Sequence, residues 1–136
     1  MADRLHSAAL HLLRRLRAED ETLGISPPRL SALSVVVFAG PIGVGALASA
    51  EGVTAPTMSR LVDGLERDQL VVRAPDPDDA RGVLVAATAK GSRALRRGRR
   101  QRVDRLAAGL RGLTSEELAV ISRGAELIER IAREPS

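Results

Sequence analysis

Three hydrogen-bonding side chains, Thr54, Thr57 and Arg60, carry the most informative chemistry of the chain. Apolar residues in the same stretch recur at the spacing of a buried helical stripe: Met58, Leu61, Val62 and Leu65. At about 100° per residue, the opposite, solvent side of this helix carries Pro56, Thr57, Arg60, Asp63, Gly64 and Arg67. Thr57 and Arg60 are donors suited to base edges in a DNA major groove. Thr54 and the N–H groups of the first helical turn can meet a phosphate.

The sequence lacks the residue patterns of thiol chemistry, metal binding and nucleotide-phosphate binding. The chain contains no cysteine, which excludes disulfides, thiol catalysis, iron–sulfur clusters and a thiol-based redox sensor. His6 and His11 are about 140° apart on a helix, so they do not share a metal-binding face. No glycine-rich phosphate loop with its lysine is present. We therefore expect no catalytic site, metal site or cofactor, and we predict that the protein is not an enzyme.

The overall composition is that of one ordinary domain. The 136 residues are 44% hydrophobic and 28% charged, which suffices for a core and argues against disorder. No window approaches 18 uninterrupted apolar residues, and the N-terminal residues, with Asp3 and Arg4, do not resemble a signal peptide. We therefore expect a cytoplasmic protein without membrane contact. Phe38 is the only aromatic residue, so binding of single-stranded nucleic acid by base stacking is disfavoured.

Positive charge is concentrated in one short segment. Residues 90–105 contain eight basic side chains and one acidic side chain, a net charge of +7, whereas the whole chain carries +4. Arg93, Arg97 and Arg100 lie along one row of a predicted helix. The interpretation that we favour is a solvated helix face whose arginine stems cover apolar surface. The alternatives are contact with DNA phosphates and attraction of an anionic ligand.

Hydrophobic periodicity and helix-capping residues predict six helices around one hairpin. The helices span about residues 5–16, 30–38, 44–51, 54–68, 89–110 and 118–132. Thr54, Thr88 and a capping box at Thr114–Glu117 mark three of their starts. Two β-branched runs, 71–73 and 83–86, flank a turn-rich loop. The predicted fold is mainly α with a small β-hairpin wing, a winged helix-turn-helix joined to a helical dimerisation domain.

The two ends of the chain carry apolar helical stripes. Because chain ends fray unless they are docked, we expect two-fold pairing of two copies to bury these stripes. The predicted dimerisation residues are Leu5, Leu12, Leu16, Leu118, Ile121 and Ile128. This interpretation assigns residues 1–24 and 89–136 to dimerisation and residues 25–88 to the winged helix-turn-helix.

Four short segments form a combination that is more specific than any one of them alone: Gly45–Ala48, Gly52–Glu66, Asp76–Arg81 and Thr88–Gly91. Together they resemble the MarR family of bacterial transcriptional regulators, and the order of elements is similar over the whole chain. The resemblance implies a homodimer that binds a pseudo-palindromic site in double-stranded DNA. It further implies a repressor that a small aromatic or anionic effector releases.

The resemblance also implies roles for individual residues. The recognition helix would enter the major groove with Thr54, Pro56, Thr57, Ser59 and Arg60. Arg81 matches the wing arginine that enters the flanking minor groove, and Asp63 matches the acid that pairs with this arginine. Arg73, on the first wing strand, completes the predicted DNA-binding set. An effector would bind between the dimerisation region and the DNA-binding region. Its candidate lining is Leu30, Leu33, Phe38 and residues of the first and fifth helices, although ordinary core packing also explains each of them.

Three residues depart from the family pattern. Gly43 stands at the usual Thr or Ser cap of the short third helix, Arg29 replaces a common Gln, and Gly64 replaces a frequent Arg or Lys. Gly64 is expected to leave the middle of the exposed side of the fourth helix flat and to remove a possible phosphate contact.

A winged helix that binds protein instead of DNA is the main alternative. Residues 54–81 contain four basic and six acidic side chains, a net charge of −2. In the wing, the acids Asp76, Asp78 and Asp79 outnumber Arg73 and Arg81. Such a module would bind DNA weakly and without sequence preference, whereas a regulator would select a pseudo-palindrome.

Overall fold

The computed structural model describes residues 1–133 and divides the chain into two compact units, Met1–Arg102 and the segment from Val103 onward. The helices are α1 (Ala2–Asp20), α2 (Pro27–Ala39), α3 (Val44–Glu51), α4 (Ala55–Arg67), α5 (Ala89–Leu110) and α6 (Ser115–Arg133). The strands are β1 (Ile42–Gly43), β2 (Val71–Asp76) and β3 (Asp79–Ala87). The predicted class, mainly α with a small β wing, is confirmed.

Local capping chemistry explains several helix boundaries. The Thr54 hydroxyl accepts a hydrogen bond from the Thr57 N–H at 3.3 Å and so caps α4, as predicted. The capping box also forms: the Thr114 N–H donates to Glu117 Oε2, and the Glu117 N–H donates to Thr114 Oγ1. Ser26 and Gly43 precede their helices with extended backbone but supply no side-chain cap.

The wing is part of a three-stranded antiparallel sheet with the order β1-β3-β2. Ile42 lies opposite Val85, and Arg73 lies opposite the same residue on the other side of β3. The sequence predicts only the two wing strands, because a strand of two residues is too short to show any periodicity. Strand β1 ties the start of α3 to the base of the wing.

The core of the first unit lies between α2, α3, α4 and the sheet. Its fully buried side chains come from each of these elements: Leu33, Val36, Leu47, Met58, Val62, Leu65, Val71 and Val85. Three of the four residues in the predicted α4 stripe are among them, and the fourth, Leu61, is half-buried against the cluster. Each such side chain contributes about 1.5–3 kcal/mol when buried, so this packing fixes which side of α4 faces outward.

The end of α4 is locked to the start of α5. The Thr88 N–H donates to the Leu70 carbonyl at 3.0 Å, and the Thr88 hydroxyl donates to the Gln69 carbonyl at 2.7 Å. A Cβ at Gly91 would overlap the Leu70 carbonyl oxygen, so the close approach of the two segments requires glycine. The segment that follows α4 is therefore held tightly against the start of α5.

Apolar side chains remain exposed on the terminal helices. In the first unit, α1 exposes Leu5, Leu10, Leu12 and Leu13. Leu16, which was expected at a dimer interface, is instead buried within this unit. In the second unit, α6 buries no residue and exposes Leu118, Val120, Ile121, Ile128 and Ile131.

No single helix within residues 1–133 is long and apolar enough to cross a membrane. Among the same described residues, one pair of segments has the combined length and apolar composition of a span, namely α1 with its following turn and α2, but the two are bent by 87°.

Candidate nucleic-acid interface

The first half of α4 presents a row of exposed polar groups. Thr54, Pro56, Thr57 and Arg60 are exposed, as predicted, while Ser59 is half-buried at the edge of the face. The Thr54 hydroxyl donates to Thr57 Oγ1 at 2.9 Å in addition to accepting from the Thr57 N–H. Thr57 Oγ1 accepts from Thr54, and a hydroxyl that accepts one hydrogen bond can still donate its own hydrogen. The exposed Thr57 hydroxyl is therefore a potential donor on the same helix face as Arg60.

The wing is anchored to α4 by Arg73 of β2. Arg73 Nη2 donates to Asp63 Oδ1 at 2.8 Å, and Nη1 donates to Glu66 Oε1 at 3.0 Å. The Arg73 N–H also donates to Glu66 Oε2 at 3.0 Å. Two carboxylates on successive turns of α4 thus hold one guanidinium at the base of the wing.

The predicted partnership of Asp63 with Arg81 is wrong. The Asp63 carboxylate forms its ion pair with Arg73. In the described part of the chain, the Arg81 guanidinium has no carboxylate partner. The sheet register gives the reason. Val85 is the residue of β3 opposite Arg73. Arg81 comes four residues before Val85 on the same strand, which places it about 13 Å nearer the tip of the wing.

The charge of Arg73 is secured by its surroundings. Burial lowers the pKa of the Arg73 guanidinium, but its hydrogen bonds and charge interactions with Asp63 and Glu66 outweigh burial and raise the pKa. The guanidinium therefore stays protonated at neutral pH.

The acids of the wing tip serve the turn. Asp76 Oδ1 accepts from the Asp78 N–H at 2.9 Å, and Asp79 Oδ1 accepts from the Arg81 N–H at 3.0 Å. Such bonds stabilise tight turns, so two of the three acids in this loop have a structural role. A Cβ at Gly82 would come within 3.0 Å of Asp76 Cβ. Arg81 itself is exposed near the tip.

The opposite flank of α4 is covered by Arg29 of α2. Gly64, expected as part of a flat exposed side, is buried because the Arg29 guanidinium lies directly on it. A Cβ at Gly64 would lie 2.5 Å from Arg29 Cζ and 2.6 Å from Nε. Arg29 Nη1 also faces Asp68 Oδ2 at 3.6 Å. The two departures from the family pattern are therefore spatial neighbours.

A cleft of about 550 Å³ lies behind the end of α4. Its lining comes from the turn after α1, from the end of α4 and from α5: Leu23, Gly24, Ile25, Asp68, Leu70, Lys90, Arg93, Ala94 and Arg97. Lys90 Nζ donates to the Asp68 carbonyl at 3.0 Å. The three cations and the apolar residues suit a small anion with an apolar body.

The sequence-based candidates for an effector site match this cleft only in part, since the fifth helix lines the cleft but the three residues named individually do not. Leu30 and Leu33 are buried in the first unit, and Phe38 is 79% exposed; none of them lines this cleft. The useful signal was the arginine run, two of whose members, Arg93 and Arg97, face the cleft. Farther along α5, Arg102 forms an ion pair with Asp20, so the run does not serve a single purpose.

The comparison with protein families agrees with this geometry. The family model described as "MarR family" matches residues 25–83. A relative from Mycobacterium bovis, named as an uncharacterized HTH-type transcriptional regulator, is 34% identical over 128 residues, which cover 94% of this chain and 90% of the relative. This chain belongs to the MarR family. It is accordingly a helix-turn-helix transcriptional regulator of the MarR type.

Solved structures match this fold over 98% of the chain. A putative transcriptional regulator from Pseudomonas aeruginosa superposes with a TM-score of 0.86 at 28% identity, covering 98% of this chain and 94% of that one. A MarR family protein from Bacillus stearothermophilus gives a TM-score of 0.80 at 27% identity, covering 98% and 93%. The match of the family model, residues 25–83, runs from just before α2 into β3.

Proposed function

We propose that this MarR-family protein is a homodimeric repressor that reads a pseudo-palindromic DNA operator with α4 and is released by a small anionic effector. The observation that carries the proposal is the exposed face of α4, where Thr57 and Arg60 stand beside each other on a helix held from both flanks. A rigid helix of this kind fits a major groove.

The DNA contacts follow from the chemistry of each exposed group. The Arg60 guanidinium can bond two acceptors of a guanine edge, and the Thr57 hydroxyl can donate to a neighbouring base or phosphate. The N-terminus of α4, with Thr54 and Ser59 beside it, suits a backbone phosphate. Arg81, exposed near the wing tip, would enter the flanking minor groove, while Arg73 would act mainly by holding the wing.

Two copies of the chain would pair through their terminal helices. Leu5 and Leu12 on α1, with Leu118, Ile121 and Ile128 on α6, are exposed in a single copy. Burial of such residues against their two-fold equivalents removes apolar surface from water. Two-fold pairing also places two recognition helices on half-sites separated by about 34 Å or a multiple of it.

Release by an effector is supported by the cationic cleft. Lys90, Arg93 and Arg97 would attract a small aromatic or other anionic molecule, and the wall of the cleft includes Asp68 and Leu70 at the end of α4. A ligand that favours a different spacing of α4 and α5 lowers DNA affinity by differential binding. Because a bacterial regulator of this kind would meet its operator in the cytoplasm, the cytoplasm is the proposed site of action.

The proposal is tested by selecting bound sequences from a random pool of double-stranded DNA. We expect the wild type to enrich an inverted repeat. Arg60→Ala should lose about 1–3 kcal/mol at that site and relax the base preference, whereas Arg81→Ala should weaken binding mainly through the flanking positions. An Arg60→Ala variant with unchanged affinity and preference would show that this face of α4 does not read DNA.

A protein-binding winged helix is the second candidate. It is favoured by the net charge of −2 over residues 54–81. Under that function the selection would enrich no sequence at low or moderate salt.

A further inference from the structure

Two arginines from neighbouring elements flank the exposed face of α4. Asp63 and Gly64 lie on opposite sides of that face, because successive helical residues are about 100° apart. Arg73 reaches the Asp63 side from β2, and Arg29 reaches the Gly64 side from α2. The face that carries Arg60 is thus bordered by a guanidinium on each flank.

The two guanidinium groups differ in how fully they are neutralised. Arg73 bonds two carboxylates, each within 3.0 Å. Arg29 faces one carboxylate, that of Asp68, at 3.6 Å, and its side chain is 33% exposed. A guanidinium carries five N–H donors, so Arg29 retains both charge and donors for an external anion, whereas Arg73 is neutralised within the fold.

The flank position decides which anion Arg29 can meet. An α-helix with side chains is about 10–12 Å wide, close to the roughly 12 Å width of the major groove. The flanks of a helix in the groove therefore face the two phosphate walls, and the outward centre of the helix faces the bases. We infer that Arg29 is a DNA-phosphate contact that α2 supplies across α4, in the space that Gly64 leaves open; this inference rests on the proposed function.

Gly64 is required for this arrangement. Any side chain at this position would occupy the space of the Arg29 guanidinium, whose Cζ and Nε would lie 2.5 and 2.6 Å from the new Cβ. The obstructed group is the far end of a flexible side chain, so a larger residue displaces Arg29 without unfolding the helix. Residue 64 therefore sets where the charge of Arg29 lies.

The inference is tested by measuring DNA binding as a function of salt for Arg29→Ala, Asp68→Asn and the double variant Arg29→Ala with Gly64→Arg. Arg29→Ala should weaken binding several-fold on an operator and on an unrelated duplex alike, and should reduce the salt slope by about one. The double variant returns a guanidinium to the same flank and should restore the slope. Circular dichroism establishes that each variant is folded.

Asp68→Asn separates a phosphate contact from a purely structural ion pair. This substitution removes the carboxylate partner of Arg29 but leaves the positive charge of Arg29 in place, so the affinity for DNA should stay the same or rise. An equal loss in Asp68→Asn and Arg29→Ala, or an unchanged salt slope in folded Arg29→Ala, would overturn the inference.

Two further controls keep the result interpretable. If Arg29→Ala does not fold, Gly64→Ala replaces it: this variant keeps the charge but moves the guanidinium, and unchanged salt dependence would contradict the inference. If the wild type selects no inverted repeat, the proposed function fails, while the slope on an unrelated duplex still reports on Arg29.

Discussion

Arg73 of β2 bonds Asp63 of α4 at 2.8 Å and thereby joins the wing to the exposed helix. Glu66, one turn farther along α4, holds the other arm of the same guanidinium at 3.0 Å. The wing of this MarR-family protein is consequently fixed at its base, close to the helix, while Arg81 near the tip is left to interact outside the fold. This separation of an anchoring arginine from a contacting arginine underlies the first prediction.

Replacing Arg73 should affect both stability and DNA binding. Arg73→Ala is expected to lower the free energy of unfolding by about 1 kcal/mol, since both ion pairs are partly exposed and screened. It should also weaken operator binding, because the wing loses its anchor. Urea unfolding followed by circular dichroism measures the first effect. Arg81→Ala is the control and should leave stability unchanged; if it destabilises as much as Arg73→Ala, the anchoring role belongs to Arg81.

The exposed apolar residues of the terminal helices should control assembly. Leu12→Asp or Ile128→Asp is expected to give monomeric or insoluble protein, because the charge would be buried without a partner at the two-fold interface. Sedimentation velocity measures the outcome. Val83→Asp is a matched control, since Val83 is similarly exposed but lies on the wing. A folded dimer of the Leu12→Asp variant would place the interface elsewhere.

The cationic cleft should bind aromatic carboxylates. Benzoate is expected to bind the wild type and to lower its affinity for the operator, and Arg97→Ala should weaken benzoate binding several-fold by removing a charge from the lining. Isothermal titration calorimetry measures the binding. Arg100→Ala is the control because Arg100 follows Arg97 on the same helical row but does not line the cleft. Equal losses in both variants would indicate general charge attraction instead of a site.

Two glycines of α5 should respond oppositely to the same substitution. Gly91→Ala is expected to destabilise the protein by about 1–3 kcal/mol, because the new Cβ would overlap the rigid Leu70 carbonyl. Gly109→Ala should stabilise it by about 0.5–1 kcal/mol, since nothing lies within 4 Å of that position and alanine favours a helix. Thermal unfolding distinguishes them. A neutral Gly91→Ala variant would mean that α5 is not locked to the end of α4.

The sequence by itself determined the six helices, the two wing strands and most of the outward face of α4. The apolar stripe from Met58 to Leu65, the Thr54 cap and the capping box at Thr114 are local patterns, and local patterns are set by helical periodicity and by backbone N–H groups that need acceptors. The structure confirms each of them. The family was predicted from a different signal, the resemblance of four short segments between Gly45 and Gly91 to the MarR family.

Only the tertiary structure decided which charges meet. Asp63 binds Arg73 instead of Arg81 because the register of β2 and β3 carries Arg81 away from α4. Gly64 is covered by Arg29, a residue of a different helix, and the cationic cleft draws its lining from three separate parts of the chain. Such contacts depend on how elements pack across long sequence separations, and side-chain periodicity within one element holds no information about that packing.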